Sequence, residues 1–279
     1  MSTQAIESGS VLSLLSKNTE HEINTLVRGD ILYVVLVYFH FAIAVAGYVP
    51  LWTFCIAAPM YVSRWMIGLH ETLHVVKPED INPIVWLQLL LVTPFSLGYR
   101  EIRDIHMRHH AYAVTDKDPD LYHIRGNVVS GFILATLSPE ISAYHWIRNQ
   151  GVDVQLAVGM SLRFMLFSAF VWYLGWTSLW YFIPVRLAYG SCMFSISFPL
   201  HRKQGAYGTF TPRFGTLLET VMQVYCGRAA LHTLSYHDIH HDYPRIAASK
   251  LPEARRFYVP KSSSLAHAPQ AEIFTTRSR

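Results

Sequence analysis

Between Ile31 and Ser63 the chain carries no Asp, Glu, Lys or Arg, a run longer than the roughly 20 residues that one bilayer crossing needs. Gly47-Tyr48-Val49-Pro50 interrupts it, since Pro removes a backbone donor and Gly permits a tight reversal. The pattern therefore predicts a helical hairpin with spans at 31–47 and 50–74. A second apolar stretch from Leu156 to Pro199 turns at Gly175-Trp176 and contains Pro184, which predicts spans at 156–174 and 177–199. Tyr48 and Trp52 flank the first tip, and Trp172, Tyr173, Trp176, Trp180 and Tyr181 crowd the second, as rings placed at headgroup level would. Neither tip carries Lys or Arg. Apart from Arg64, Arg163 and Arg186, the basic residues lie in the termini and the middle segment, which puts both ends on the cytoplasmic side. The expected fold is an all-α integral membrane protein, with two transmembrane hairpins (four spans) and a cytoplasmic helical cap.

The apolar stretch Pro83–Gly98 is short for a span and contains Pro94, so it is expected along the interface. Residues 1–30 read as a cytoplasmic N-terminal segment without the features of a signal peptide. Residues 31–259 read as the membrane domain, and 260–279, polar and aperiodic, as a flexible tail. Composition agrees with the membrane class, at 51% hydrophobic and only 15% charged residues, well under the charge content of a soluble domain. The net charge of +4 comes with no interleaved basic and aromatic stripe, which excludes nucleic acid as an expected partner. Cys55, Cys192 and Cys226 show no C-x-x-C spacing and read as packing residues.

The chemistry lies in the histidines. His70 and His74 stand four apart in GLHETLHV, His106, His109 and His110 form HMRHH, and His237, His240 and His241 form HDIHH. Positions i, i+3 and i+4 share one helix face, so each group can present several imidazoles to one place. Adjacent residues diverge by about 100° around a helix, which assigns one member of the pair His109/His110, and one of His240/His241, to each of two metals. Imidazole suits zinc, copper, iron and nickel alike. Eight such ligands exceed the four of a zinc site and suit two ions of higher coordination number.

The order HETLH, HMRHHAYAVTDKDPD, YHDIHHDYPRI resembles the three histidine boxes of the membrane fatty acid desaturase and hydroxylase superfamily. There the second box is often followed by an Asp-rich run ending in Asp-Pro, and the third by an aromatic-Pro pair. The resemblance covers Ile31 to Val259 at the level of architecture. It implies a nonheme diiron site holding two Fe2+ ions, which uses O2 as cosubstrate and attacks an unactivated C–H bond. It also implies a ninth histidine at the end of the last span, where His201 stands in SISFPLHRKQG.

Ligating imidazoles usually donate their second N–H to a carboxylate or carbonyl. Glu71, Asp104, Asp116, Asp118, Asp120, Asp238 and Asp242 are candidates for that role, and His232, five residues before the third box, is expected beside the ligands rather than among them. His40, inside the first span, needs a polar partner or the site itself. His21, His123, His145 and His267 belong to no cluster.

HETLH also satisfies H-E-x-x-H, the zinc-binding helix of a metallopeptidase with the glutamate as general base. An intramembrane zinc peptidase is thus the alternative from another class, although it leaves both H-x-x-H-H groups without a task. Within the oxygenase class, desaturation of a fatty acyl chain carried on CoA, a carrier protein or a phospholipid is the preferred reading, with hydroxylation and carotenoid ketolation as alternatives. Trp65, Met66, Met193, Phe194 and Phe198 are candidates to line a substrate tunnel. The chain has no dinucleotide fingerprint, rubredoxin-like cysteine pairs or haem-attachment motif, so an external ferredoxin, rubredoxin or cytochrome is expected to supply electrons. Arg202, Lys203, Arg245, Lys250, Arg255 and Arg256 could steer such a donor.

Overall fold

A computed structural model describes residues 20–75 and 92–258. The predicted interfacial stretch Pro83–Gly98 falls mostly outside these residues, and the predicted tail 260–279 entirely so.

Helix α1 (Glu20–Val45) and helix α2 (Leu51–Leu73) form the first hairpin. Gly47 at the turn adopts φ +81°, which a residue without Cβ reaches freely, and Pro50 caps the second arm in extended conformation. The arms bury Val37, Phe41, Phe54, Ala58 and Val62 against Tyr181 and Val185 of the last long helix. His40 finds polar partners inside this layer, at 2.9 Å from the Thr53 hydroxyl and 3.3 Å from that of Tyr61, so the cost of a polar ring among apolar helices is met locally.

Helix α3 (Tyr99–Tyr112) follows, then a one-turn 3-10 segment (Leu121–His123), α4 (Val128–Thr136) and α5 (Ser138–Gln150). Asn127 caps α4 reciprocally with Ser130, a box that satisfies two orphan donors. The long helices α6 (Val154–Leu174) and α7 (Leu179–His201) join through a 3-10 turn at Gly175, φ +54°. Near that turn Phe167 and Phe170 pack on Phe182.

Two stretches, Val27–Val45 and Val154–His201, are long and apolar enough to cross a membrane. The predicted second span, helix α2, does not reach that standard, because Trp, Tyr, Pro and Arg64 dilute its apolar face. The first helix also begins well before residue 31. The tips carry an exposed aromatic set, with Tyr48, Trp172, Tyr173 and Trp176 each more than four-fifths exposed.

Arg64 is held by other segments of the chain. Its guanidinium donates to the carbonyls of Val224 and Tyr225 and to the Tyr33 hydroxyl. Arg186 pairs with Glu140. After α7 come a two-stranded hairpin (β1 Arg202–Lys203, β2 Ala206–Tyr207), α8 (Thr216–Tyr225), α9 (Gly227–Ser235), α10 (His237–Asp242) and the short α11 (Leu251–Ala254). The three cysteines are free, as their spacing predicted.

Candidate metal centre

Most of the box histidines sit in the last turns of helices, His106 and His237 excepted. His70 and His74 close α2, His109 and His110 close α3, and His240 and His241 close α10, while His201 is the last residue of α7. The partial negative charge that accumulates at a helix C-terminus favours a cation there, so several such ends point at one place.

The ring nitrogens gather in two groups. His70, His74, His106, His110 and His240 offer ligand atoms all within 4.8 Å of one another, and so do His109, His201 and His241. His237 joins the second group through its Nε2, 3.1 Å from His201 Nε2. All nine histidines singled out from the sequence are thus brought together, and each adjacent pair divides between the groups, His110 and His240 to one, His109 and His241 to the other.

The tautomers decide what these contacts mean. His109 Nδ1 lies 2.9 Å from Asp118 Oδ1, and a carboxylate only accepts, so this nitrogen carries the proton. His201 Nδ1 likewise donates to the Gly208 carbonyl at 3.1 Å. The β1–β2 reversal, with Gln204 and Gly205 both at positive φ, brings Gly208 back beside His201. Both Nε2 atoms are then lone pairs, yet they face each other at 3.2 Å, a contact that needs a cation. Without metal, a second proton on His109 can serve, and its acidity is shifted accordingly: burial opposes the charge, but Asp118 outweighs it and raises the pKa. Burial and the neighbouring rings hold His106, His110, His237, His240 and His241 well below the ordinary histidine range, so these rings are neutral and ready to ligate.

The spacing fits a metal as well. Ring nitrogens about 2.1 Å from one ion are about 3.0 Å apart at right angles and about 3.4 Å apart at the tetrahedral angle. Here His74–His106, His106–His110, His109–His201 and His201–His237 stand at 3.0, 3.2, 3.2 and 3.1 Å, within the span of those two values.

Of the acidic candidates, Asp118 hydrogen-bonds a ligand ring, that of His109. Its buried carboxylate also accepts from the backbone N–H groups of Val114 and Asp120 at 2.8 and 2.9 Å. Burial works against its charge, yet His109 and these donors hold its pKa below the usual value. Asp120 lies in the same loop, its carboxyl pushed up to about 6 by burial and by Asp118, against His109. Asp104, Asp116, Asp238 and Asp242 each meet another group. Asp104 pairs with Arg108 one turn on, Asp116 with Arg125, Asp238 with Thr211 and Arg255, and Asp242 with the Tyr258 hydroxyl.

Glu71 stands 3.5 Å from His70 Nδ1, and its other oxygen accepts from the Ala248 N–H at 3.1 Å. His232 donates to the carbonyl of that same Ala248 at 3.1 Å, so one residue ties the first box to the helix preceding the third. His123 was assigned no role from the sequence. It is 1% exposed, neither ring nitrogen has a partner among the described residues, and burial pushes its pKa down to about 3.

A cavity of about 480 Å3 runs past both groups, within the range of lipid-sized ligand sites. Trp65, Met66 and Met193 line it as expected. Phe194 and Phe198 do not; they stack on each other, with ring centroids 5.0 Å apart.

The sequence matches the model of the family described as "Fatty acid desaturase" over residues 46–268. The chain belongs to the fatty acid desaturase family. Membership makes it an oxidoreductase of desaturase type, and with its two long apolar stretches a membrane protein. No curated protein and no solved structure matches the chain. Membership also sets aside the metallopeptidase alternative, which the geometry disfavours independently. The HETLH histidines share their place with three others, and the Glu71 carboxylate is held by backbone rather than open to a water.

Proposed function

We propose that this desaturase-family protein oxidises an unactivated C–H bond in a lipid-like chain, with desaturation of a fatty acyl group as the preferred reaction. The observation that carries the reading is the pair of histidine groups beside a mostly apolar cavity. His70, His74, His106, His110 and His240 would hold one iron ion, and His109, His201, His237 and His241 the other. Two iron ions with O2 would supply the oxidising power that no side chain has.

The protein's own residues do the rest. Asp118 and the Gly208 carbonyl hold the His109 and His201 rings in one tautomer and orientation, which raises their basicity as ligands. Trp65, Leu69 and Met66 present apolar surface to the chain and exclude water from its reacting segment. Positioning decides between desaturation, hydroxylation and ketolation, because these outcomes differ in sub-ångström placement of the carbon.

Four crossings, with both termini and the histidines on the cytoplasmic side, are the topology we favour, since α1–α2 and α6–α7 are hairpins whose aromatic tips lie far from the boxes in sequence. An external ferredoxin, rubredoxin or cytochrome would deliver electrons. Lys203, Arg245, Lys250 and Arg256 are available for its docking, whereas Arg202 and Arg255 are engaged by Gly126 and Asp238.

Metal analysis of detergent-purified protein tests the class. About two iron ions per chain support it, and one zinc without iron refutes it. A product screen of cells fed fatty acids or carotenoids then separates double-bond, hydroxyl and ketone products.

A further inference from the structure

An unsubstituted hydrocarbon needs only apolar walls, and the cavity offers them at Met66, Met193, Leu218 and Met222. Asp120, His123, Ser138, Ser142 and Tyr189, which neighbour one another, also line it. Most of that wall is satisfied internally, with Ser138 Oγ 3.1 Å from the Tyr189 hydroxyl and the Tyr122 hydroxyl 3.4 Å from both the Ser138 carbonyl and Ser142 Oγ. His123 is the exception. A neutral imidazole offers one donor and one acceptor, and neither is met among the described residues although the side chain is 1% exposed. The ring lies outside both groups of ligand atoms, so the metals would not satisfy it. Its place is fixed by the 3-10 turn that follows the Asp118 loop and by packing on Tyr122, centroids 4.8 Å apart. Gly131 of α4 comes so near that an added Cβ would sit 3.1 Å from the His123 carbonyl. A buried polar group held rigidly in a cavity wall and left unpaired is costly, unless the cavity's occupant pairs it.

We infer that the cavity binds an oxygen function of the substrate, a carbonyl or a hydroxyl, through His123, so that the chain is held by hydrogen bonding at this ring and by apolar contact elsewhere. The inference rests on the oxidase reading for the word substrate, and the subsite itself does not depend on the metal. It makes His123 a specificity-determining residue, setting which carbon lies beside the histidines by its distance from the oxygen.

The test uses full-length protein, purified in detergent and loaded with iron, and three probes of similar length: methyl palmitate, 1-hexadecanol and hexadecane. Affinities are read by thermal shift. Wild type binds an oxygenated probe about 10-fold more tightly than hexadecane, the equivalent of one buried hydrogen bond. His123→Phe loses that preference and keeps its hexadecane affinity, while His123→Gln, whose amide offers both a donor and an acceptor, retains part of it. Preference for the ester alone identifies an acyl carbonyl, and preference for the alcohol alone a hydroxyl. A wild type without preference, or a His123→Phe variant that keeps it, overturns the inference. So does loss of iron in both variants, which would make His123 part of the metal site. Absence of iron from wild type removes the oxidase reading instead, and the preference for oxygenated probes is scored all the same.

Discussion

Asp118 offers the sharpest test of the metal assignment, and Asp118→Asn is the perturbation to make. The carboxylate has no exposed surface and takes three backbone or ring donors, His109 Nδ1 at 2.9 Å, Val114 N–H at 2.8 Å and Asp120 N–H at 2.9 Å. An asparagine of the same shape has one acceptor oxygen, so its amide nitrogen must face a donor. The change costs a charge-assisted hydrogen bond, about 1.5–3 kcal/mol, and leaves one buried donor unmet. Loss of such a partner typically lowers metal affinity about 10–100-fold. Ferrous iron titrated into metal-free protein should therefore show one site weakened by that factor, the one built from His109, His201, His237 and His241, and the other unchanged. Equal and undiminished binding at both sites would refute the assignment of Asp118 as the group that orients His109.

Other expectations follow from single contacts. Gly68→Ala would place a Cβ 1.8 Å from Asp30 Oδ1, displacing that buried carboxyl at a cost of about 1–3 kcal/mol, seen as a lowered melting temperature. Glu71→Gln keeps an acceptor for the Ala248 N–H and should retain both iron and oxidation, whereas Glu71→Ala leaves that donor unmet and should destabilise the protein by about 1–3 kcal/mol; loss of iron from the Gln variant would show that the charge itself is needed. His201→Ala should leave roughly one iron per chain by elemental analysis, because it removes a ligand from one group only. In metal-free protein the raised pKa of His109 makes its pairing with Asp118 stabilising in full below about pH 6.5 and lost as pH rises through the higher folded value, while Asp118, held low, contributes fully above about pH 4 and less as pH falls through its folded value. Melting temperature from pH 5 to 9 should decline on the alkaline side in wild type and lose that slope in Asp118→Asn.

Much of the centre was readable from spacing alone. The i, i+3, i+4 histidines on helices had to share a face, and adjacent histidines had to diverge, so the partition of His109 from His110 and of His240 from His241 follows from helix geometry and is what the two groups display. The hairpin turns at Gly47 and Gly175 were legible for a similar reason, since reversals in a long apolar run need glycine or proline. Helix α4 is not legible in the sequence, because VVSGFILAT has neither the length of a span nor a polar face.

Tertiary structure alone decided the rest. Asp116, Asp118 and Asp120 look equivalent in TDKDPD, and only the fold turns Asp118 toward His109 while Asp116 meets Arg125. His201 depends on a hairpin that returns Gly208 to its Nδ1, and Ala248, which also meets His232, reaches Glu71 across 177 residues of chain. His123 looked isolated in sequence and stands in the wall of the cavity. Local periodicity specifies which side chains can act together on one helix; which carboxylate, carbonyl or unpaired ring completes them depends on contacts between distant segments, and no spacing rule carries that information.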